Sequence, residues 1–194
     1  TMGLISRVET IERTTNVRAR RSDAADACRV SAIMADQRTL AGLALLKTQS
    51  LGERRALAAD ACRGVDPWTT ATRLVVSSGE AFTIRSLRRD DAARMVTFAR
   101  TGLSAKSREL FAPFNWMGTD EALAMEFGAS IVNSTTRADL HLIALDATQV
   151  VVAHAFLWSV AGAIPELGIA VADEWHGKGL GSSLLLLLEA HARE

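Results

Sequence analysis

The feature that most limits what this chain can fold into lies near its end, where "ELGIAVADEWHGKGLGSSLLLLLEAH" runs from residue 166 to 191. An apolar stretch over 166–172 is followed by Gly177, Gly179 and Gly181, and then by five leucines, 184–188. A strand apolar on both faces belongs inside a sheet, and a leucine-rich helix must be buried, so the unit reads as strand, tight turn, helix. The first amides of such a helix have no partner within it. Together with the helix dipole they make a site for an anion, most commonly a phosphate. Glycines without Cβ atoms let a ligand approach the backbone, Lys178 adds a point charge, and Ser182 and Ser183 offer hydroxyls. Two phosphate-binding patterns do not fit. Lys178 is followed by Gly179 where a Walker A loop needs Ser or Thr, and Ser182 takes the last glycine position of the dinucleotide fingerprint.

Upstream of this unit the punctuation is regular from residue 81. "AFTIRSL" alternates as a strand. "RRDDAARMVTFARTG" reads as a helix with Asp90 or Asp91 near its start and Gly102 at its end. After a loop containing "FAPFNW", a second helix opens at Thr119 or Asp120. Two strands, "LHLIALDA" and "QVVVAHAFLWSV", meet at a turn over Asp146–Thr148, and the link "AGAIP" leads to the strand at 166. The expected order is β-α-α-β-β-β-α, an α/β (α+β) mixed sheet with helices packed on it. Residues 1–79 differ in character, being rich in Ala, Arg, Thr and Ser. Apolar residues at Ile33, Met34, Leu40, Leu43, Leu45 and Leu46 have helical spacing over 26–49. "SLGERRALAADACRG" reads as a second helix, with Ser50 and Glu53 as a capping box and Gly64 as its stop. The string "AADACR" at 24–29 and 58–63 is an alanine-biased coincidence, not a repeat. The expected division is therefore 1–79, an N-terminal extension that is helical or disordered and of unknown function, and 80–194, the domain.

Charge and cysteine content exclude other classes. With 22 basic and 22 acidic residues the formal net charge is zero, which gives no field to attract nucleic acid or an anionic membrane. Five leucines fall far short of the ~20 apolar residues that a membrane span needs. Cys28 and Cys62 make neither a disulfide framework nor a zinc motif, so no metal is expected. The first residues lack the apolar run of a secretory signal, and Glu9 and Glu12 do not suit a transit peptide. The expected protein is soluble and cytoplasmic.

"LGIAVADEWHGKGLGSSLL" resembles the acetyl-CoA signature of the GNAT superfamily of N-acetyltransferases. The family's core pattern, [Q/R]-x-x-G-x-[G/A], becomes His176-Gly177-Lys178-Gly179-Leu180-Gly181, and the resemblance covers about 82–194. It implies a GNAT-like acyl-CoA N-acyltransferase fold. It implies that the amides of Gly177, Lys178, Gly179, Leu180, Gly181 and Ser182 bind the pyrophosphate of acetyl-CoA. It also implies that the backbone of Ile169, Ala170 and Val171 pairs with the pantetheine arm as an added strand would. His176 stands where the family has Gln or Arg, so weakened binding is expected. Family members continue with another strand, a helix that often supplies a tyrosine as general acid, and commonly two more strands. Since Glu194 arrives first and the chain holds no Tyr, the fold is expected to be C-terminally incomplete.

The reaction that the resemblance implies is transfer of an acetyl group to a primary amine of a small molecule or protein. A protonated amine cannot attack, so a base is needed, and Glu166 at the start of the strand is the candidate; its other reading is a solvated strand-end carboxylate. Phe111, Phe114 and Trp116 fall where the family shapes its acceptor pocket, and core packing explains them equally. His154, His141 and His191 read as packed histidines, Asp173 and Glu174 as a solvated turn, and Trp158 and Trp175 as packing residues. The second class of function is a non-catalytic or truncated acyl-CoA-binding or regulatory module. Turnover is expected only where a partner or a second copy, as in a homodimer, completes the sheet.

Overall fold

The computed structural model describes residues 39–44, 49–111, 113–160 and 165–193. Readings before residue 39, including the first AADACR string, Ile33, Met34 and Cys28, lie outside the described residues, as do Leu45 and Leu46. Six strands form one sheet in sequence order: β1 (Thr39–Ala44), β2 (Ala71–Val75), β3 (Ala81–Ser86), β4 (Leu140–Leu145), β5 (Val151–Trp158) and β6 (Glu166–Val171). β1 and β2 are parallel, and each later pair is antiparallel. The helices are α1 (Leu51–Cys62), α2 (Ala92–Thr97), continued by a π-helical turn over Phe98–Gly102, α3 (Ala105–Leu110), α4 (Asp120–Thr135) and α5 (Leu180–His191). From residue 81 the order is the expected β-α-α-β-β-β-α with one addition, the short α3, which sits in what reads as loop.

Two expectations are corrected. The described part of the helix expected over 26–49 is a strand, β1, which pairs with β2. A short apolar run such as "TLAGLA" does not distinguish strand from helix by periodicity, and the parallel partner decides it. Second, β6 was expected inside the sheet, but among the described residues it stands at the edge. It is apolar on both faces because both are covered: Ile169 and Val171 pack into one core cluster and Ala170 into the other. The turn joining β2 to β3 lies at the division drawn near residue 79, so residues 39–75 add two strands to the sheet of the domain.

Local signals explain where helices begin. Ser50 accepts a hydrogen bond from the Glu53 amide while the Glu53 carboxylate accepts one from the Ser50 amide, the reciprocal arrangement that opens α1. Gly64 follows the end of α1 in the left-handed conformation, φ 69°. Thr119 caps α4 through the Ala122 amide. Asp146 gathers Thr148 and the Val150 amide to close the β4–β5 turn. At the entry to α2, Asp91 receives a two-pronged bond from Arg85, at 2.6 and 2.8 Å, and a third from the Arg88 amide. Both side chains of that ion pair are buried.

The sheet separates two apolar layers. On one side α1 and α5 pack on each other and on residues such as Phe82, Leu142, Ala155 and Leu157; Arg55 and Glu189 bridge the two helices at the surface. On the other side α2 and α4 cover Ile143, Val151 and Phe156 with Met95, Phe98, Leu123 and Phe127. Leu180, Leu184 and Leu188 on α5 are fully buried, which accounts for the leucine run. The helix is held by this layer, and its N-terminus is thereby fixed at the end of β6.

Candidate functional site

β6 ends at Val171, a single 3-10 turn over Asp173–Trp175 follows, and the chain passes through His176–Gly179 into α5. Gly177 and Gly179 take φ of 72° and 95°, backbone that L residues with a side chain rarely adopt. Gly179 is the N-cap of α5 and supplies no side-chain cap. The Ser183 amide donates to Gly179 O at 3.0 Å and begins the helical ladder. Among the described residues, no protein acceptor meets the amides of Gly177, Lys178, Gly179, Leu180, Gly181 or Ser182. A helix start with this many open donors is chemically an anion site.

The side chains around the loop contact other protein groups. The Lys178 ammonium lies 4.1 Å from the centre of the Trp175 ring, and Trp175 sets its edge against Phe82 at 4.9 Å. In this geometry the lysine is held on an aromatic face. His176 Nε2 donates to Val171 O at 2.8 Å, with Asp173 Oδ1 3.8 Å away, so the imidazole folds back onto the end of β6. Asp173, read as part of a solvated turn, instead receives the Ser104 amide and the Ser107 hydroxyl, the latter at 2.6 Å. Those two bonds hold its carboxylate below the usual range and tie the start of α3 to the glycine loop.

The outer edge of β6 is set by its register. The Ala172 amide bonds Val152 O, and Ala170 lies opposite His154. Alternation along an antiparallel ladder therefore turns the amides and carbonyls of Leu167, Ile169 and Val171 away from β5. Ile169 and Val171 thus present backbone to the open edge, while the backbone of Ala170 is engaged with His154. One of the outward groups, Val171 O, is taken by His176. Gly168, which the sequence did not single out, is required here: a Cβ on it would overlap the Phe156 ring.

Glu166 is exposed at the far end of β6, opposite Trp158. Side chains alternate along a strand, so Glu166 shares a face with Ala170 and with the cluster containing Phe156. Five residues separate it from Val171, about 17 Å of strand. The same face carries Phe111, Phe114 and Trp116. Phe114 is 8% exposed and Trp116 1%; the two rings lie 5.3 Å apart and belong to the core. Phe111 is half-buried and stacks parallel to Phe114 at 6.5 Å, and Trp158 stacks on Phe156 at 4.6 Å. His154 and His141 are buried beneath, with Nε2 and Nδ1 3.1 Å apart. Burial pushes His141 down to about 4 and His154 well below its ordinary value, so both are neutral. His191 is likewise lowered to about 4 by burial and contacts Cys62 at 3.6 Å. The packing reading of all three histidines fits this geometry.

Among the described residues no group of three or more His, Cys, Asp or Glu is placed to hold a metal ion. None of their helices is long and apolar enough to cross a membrane.

The sheet with β6 at its edge, the glycine turn and the buried helix that follows have the GNAT fold. The GNAT domain of S. lividans PAT superposes with a TM-score of 0.50 at 21% identity, covering 63% of this chain and 72% of that one. Mycobacterium smegmatis RimJ in complex with CoA-disulfide gives a TM-score of 0.49 at 18% identity, covering 63% and 61%. The PaiA N-acetyltransferase from Thermoplasma acidophilum in complex with coenzyme A gives 0.46 at 21%, covering 58% and 72%. No family model and no curated protein matches the sequence.

Proposed function

We propose that this chain binds acetyl-CoA at the glycine loop and transfers its acetyl group to a primary amine of a small molecule or protein. The observation that carries the reading is the run of amides from Gly177 to Ser182 that are open among the described residues, beside β6, which stands at the sheet edge among them. The pyrophosphate sits on those amides, where dipole and hydrogen bonds act together. The pantetheine arm runs along β6 against the outward groups of Ile169 and the amide of Val171. Its thioester then lies toward the Glu166 end, on the face with Phe111 and Trp158. Glu166, directly or through a water, takes a proton from the acceptor ammonium. The amine nitrogen forms a bond to the acetyl carbon, the carbon–sulfur bond breaks, and the leaving thiolate takes up the second proton that the acylated nitrogen gives up. Phe111 is the member of the aromatic set with surface to offer the acceptor, while Phe114 and Trp116 support it from the core.

The test is calorimetry with acetyl-CoA on the natural sequence and on Gly181→Glu. A Cβ at Gly181 meets only Val171 Cγ2, at an ordinary 3.5 Å, so the variant places a carboxylate in the first turn of α5 without distorting the backbone. Binding by the natural sequence and its loss in Gly181→Glu are expected; equal binding by the two would remove the assignment. Acetyl transfer to a panel of amines then separates an enzyme from a module that only holds acyl-CoA. In the enzyme, Glu166→Gln lowers kcat by roughly 10²–10⁴-fold with acetyl-CoA affinity unchanged.

A further inference from the structure

We infer that the β2–β3 turn is a positioning device for the glycine loop, in which Ser77 and Ser78 orient the Gly179 amide toward the anion site. The inference rests on the acetyl-CoA reading of that loop. Both hydroxyls donate to one acceptor, Lys178 O, at 3.0 Å from Ser77 and 3.1 Å from Ser78. The bonds join residues about a hundred positions apart in sequence, so they are tertiary contacts and not products of local turn geometry. The peptide that follows Lys178 is trans, as are all those in the described structure. In a trans peptide the C=O and the next N–H point in opposite directions. Fixing Lys178 O on the hairpin therefore sends the Gly179 N–H away from the two serines and leaves it free to donate to a ligand.

The rest of the turn is built to hold that position. The Val76 amide bonds Glu80 O at 3.0 Å and the Gly79 amide bonds Val76 O at 2.9 Å, closing the hairpin beneath the two serines. The other end of Lys178 is tied to the same side, since its ammonium lies over Trp175 and Trp175 leans on Phe82 of β3. Gly179 itself packs so closely on Ser77 that a Cβ there would overlap the Ser77 Oγ. The loop is thus set by a hairpin half of which, β2, lies upstream of the segment covered by the GNAT resemblance.

The experiment uses the full chain and three variants: Ser77→Ala/Ser78→Ala, and the rescue forms Ser77→Ala and Ser77→Ala/Ser78→Thr, each of which keeps one hydroxyl. Coenzyme A is titrated into each, melting temperatures are compared, and the Lys178 carbonyl carbon is followed by NMR in the free protein. In the double alanine variant a rise in Kd of about tenfold is expected, matching one charge-assisted amide bond of ~1.4 kcal/mol. The Lys178 carbonyl resonance moves upfield as it loses its donors, and both rescue forms return most of the affinity. Unchanged affinity and an unchanged carbonyl shift in the double variant would overturn the inference. So would equal losses of affinity in the double variant and the rescue forms. If the natural sequence binds no coenzyme A, the acetyl-CoA reading itself is overturned. The carbonyl shift then decides separately whether the hairpin holds Lys178 O.

Discussion

Ser77 Oγ occupies the space that a Cβ at Gly179 would need, so the hairpin and the glycine loop exclude any larger residue there. Gly177, two positions earlier, also has positive φ but opens onto empty space. The two glycines therefore differ in what they tolerate. Gly177→Ala is expected to cost about 1 kcal/mol, the backbone penalty alone. Gly179→Ala adds a clash and is expected to cost about 3 kcal/mol. Urea unfolding of both variants checks the ranking, and equal losses would contradict the contact with Ser77.

The Arg85–Asp91 pair is buried and made by two short bonds. Removing one partner strands the other's charge, so Asp91→Ala is expected to lose about 3–5 kcal/mol. Burial pushes the Asp91 carboxyl up, but the Arg85 and Arg88 hydrogen bonds with the nearby guanidinium charges outweigh it and hold the group below the usual range. A depressed carboxyl stabilises the fold above its unfolded pKa, and that contribution is lost as pH falls through the folded one. In Asp91→Asn the part of acid denaturation below pH ~4 is expected to flatten. An acid limb identical to the natural one would show that Asp91 does not titrate there.

His141, His154 and His191 are neutral because burial disfavours their charged forms. The unfolded chain binds protons at these sites from its ordinary value of ~6.5 downward, while His141 and His191 in the fold resist until about 4. Stability is then fully present above pH ~6.5 and falls as pH drops toward 4, by about 1.4 kcal/mol per pH unit for each such histidine. Thermal melting across that range should show the decline, and His191→Gln should reduce its slope. A flat profile between pH 6.5 and 5 would refute the neutral, buried assignment.

The sequence was most legible where a signal was local. Ser50 with Glu53 and Gly64 marked both ends of α1, Thr119 marked the start of α4, and Asp146 marked the β4–β5 turn. In each case the bonding group and its target lie within four residues, so spacing alone defines the contact. The six-residue α3 and the strand β1 were not legible. The first is held by Asp173, 66 residues from Ser107, and the second by a parallel partner beyond an intervening helix. Phe114 and Trp116 could be named as aromatics but not sorted from Phe111, because exposure depends on the rings of α4 and β5 that meet them.

For the candidate site the division has the same cause. The run of glycines before a leucine-rich helix by itself determined that a turn with open amides would precede a buried helix, because backbone freedom and apolar burial are properties of those residue types. Tertiary structure decided what surrounds the turn: Lys178 on Trp175, His176 on Val171 O, and two serines from a distant hairpin on Lys178 O. Those contacts join segments separated along the chain. No local pattern encodes them, and only the packing of β2 and β3 beside β6 and α5 brings the groups within reach.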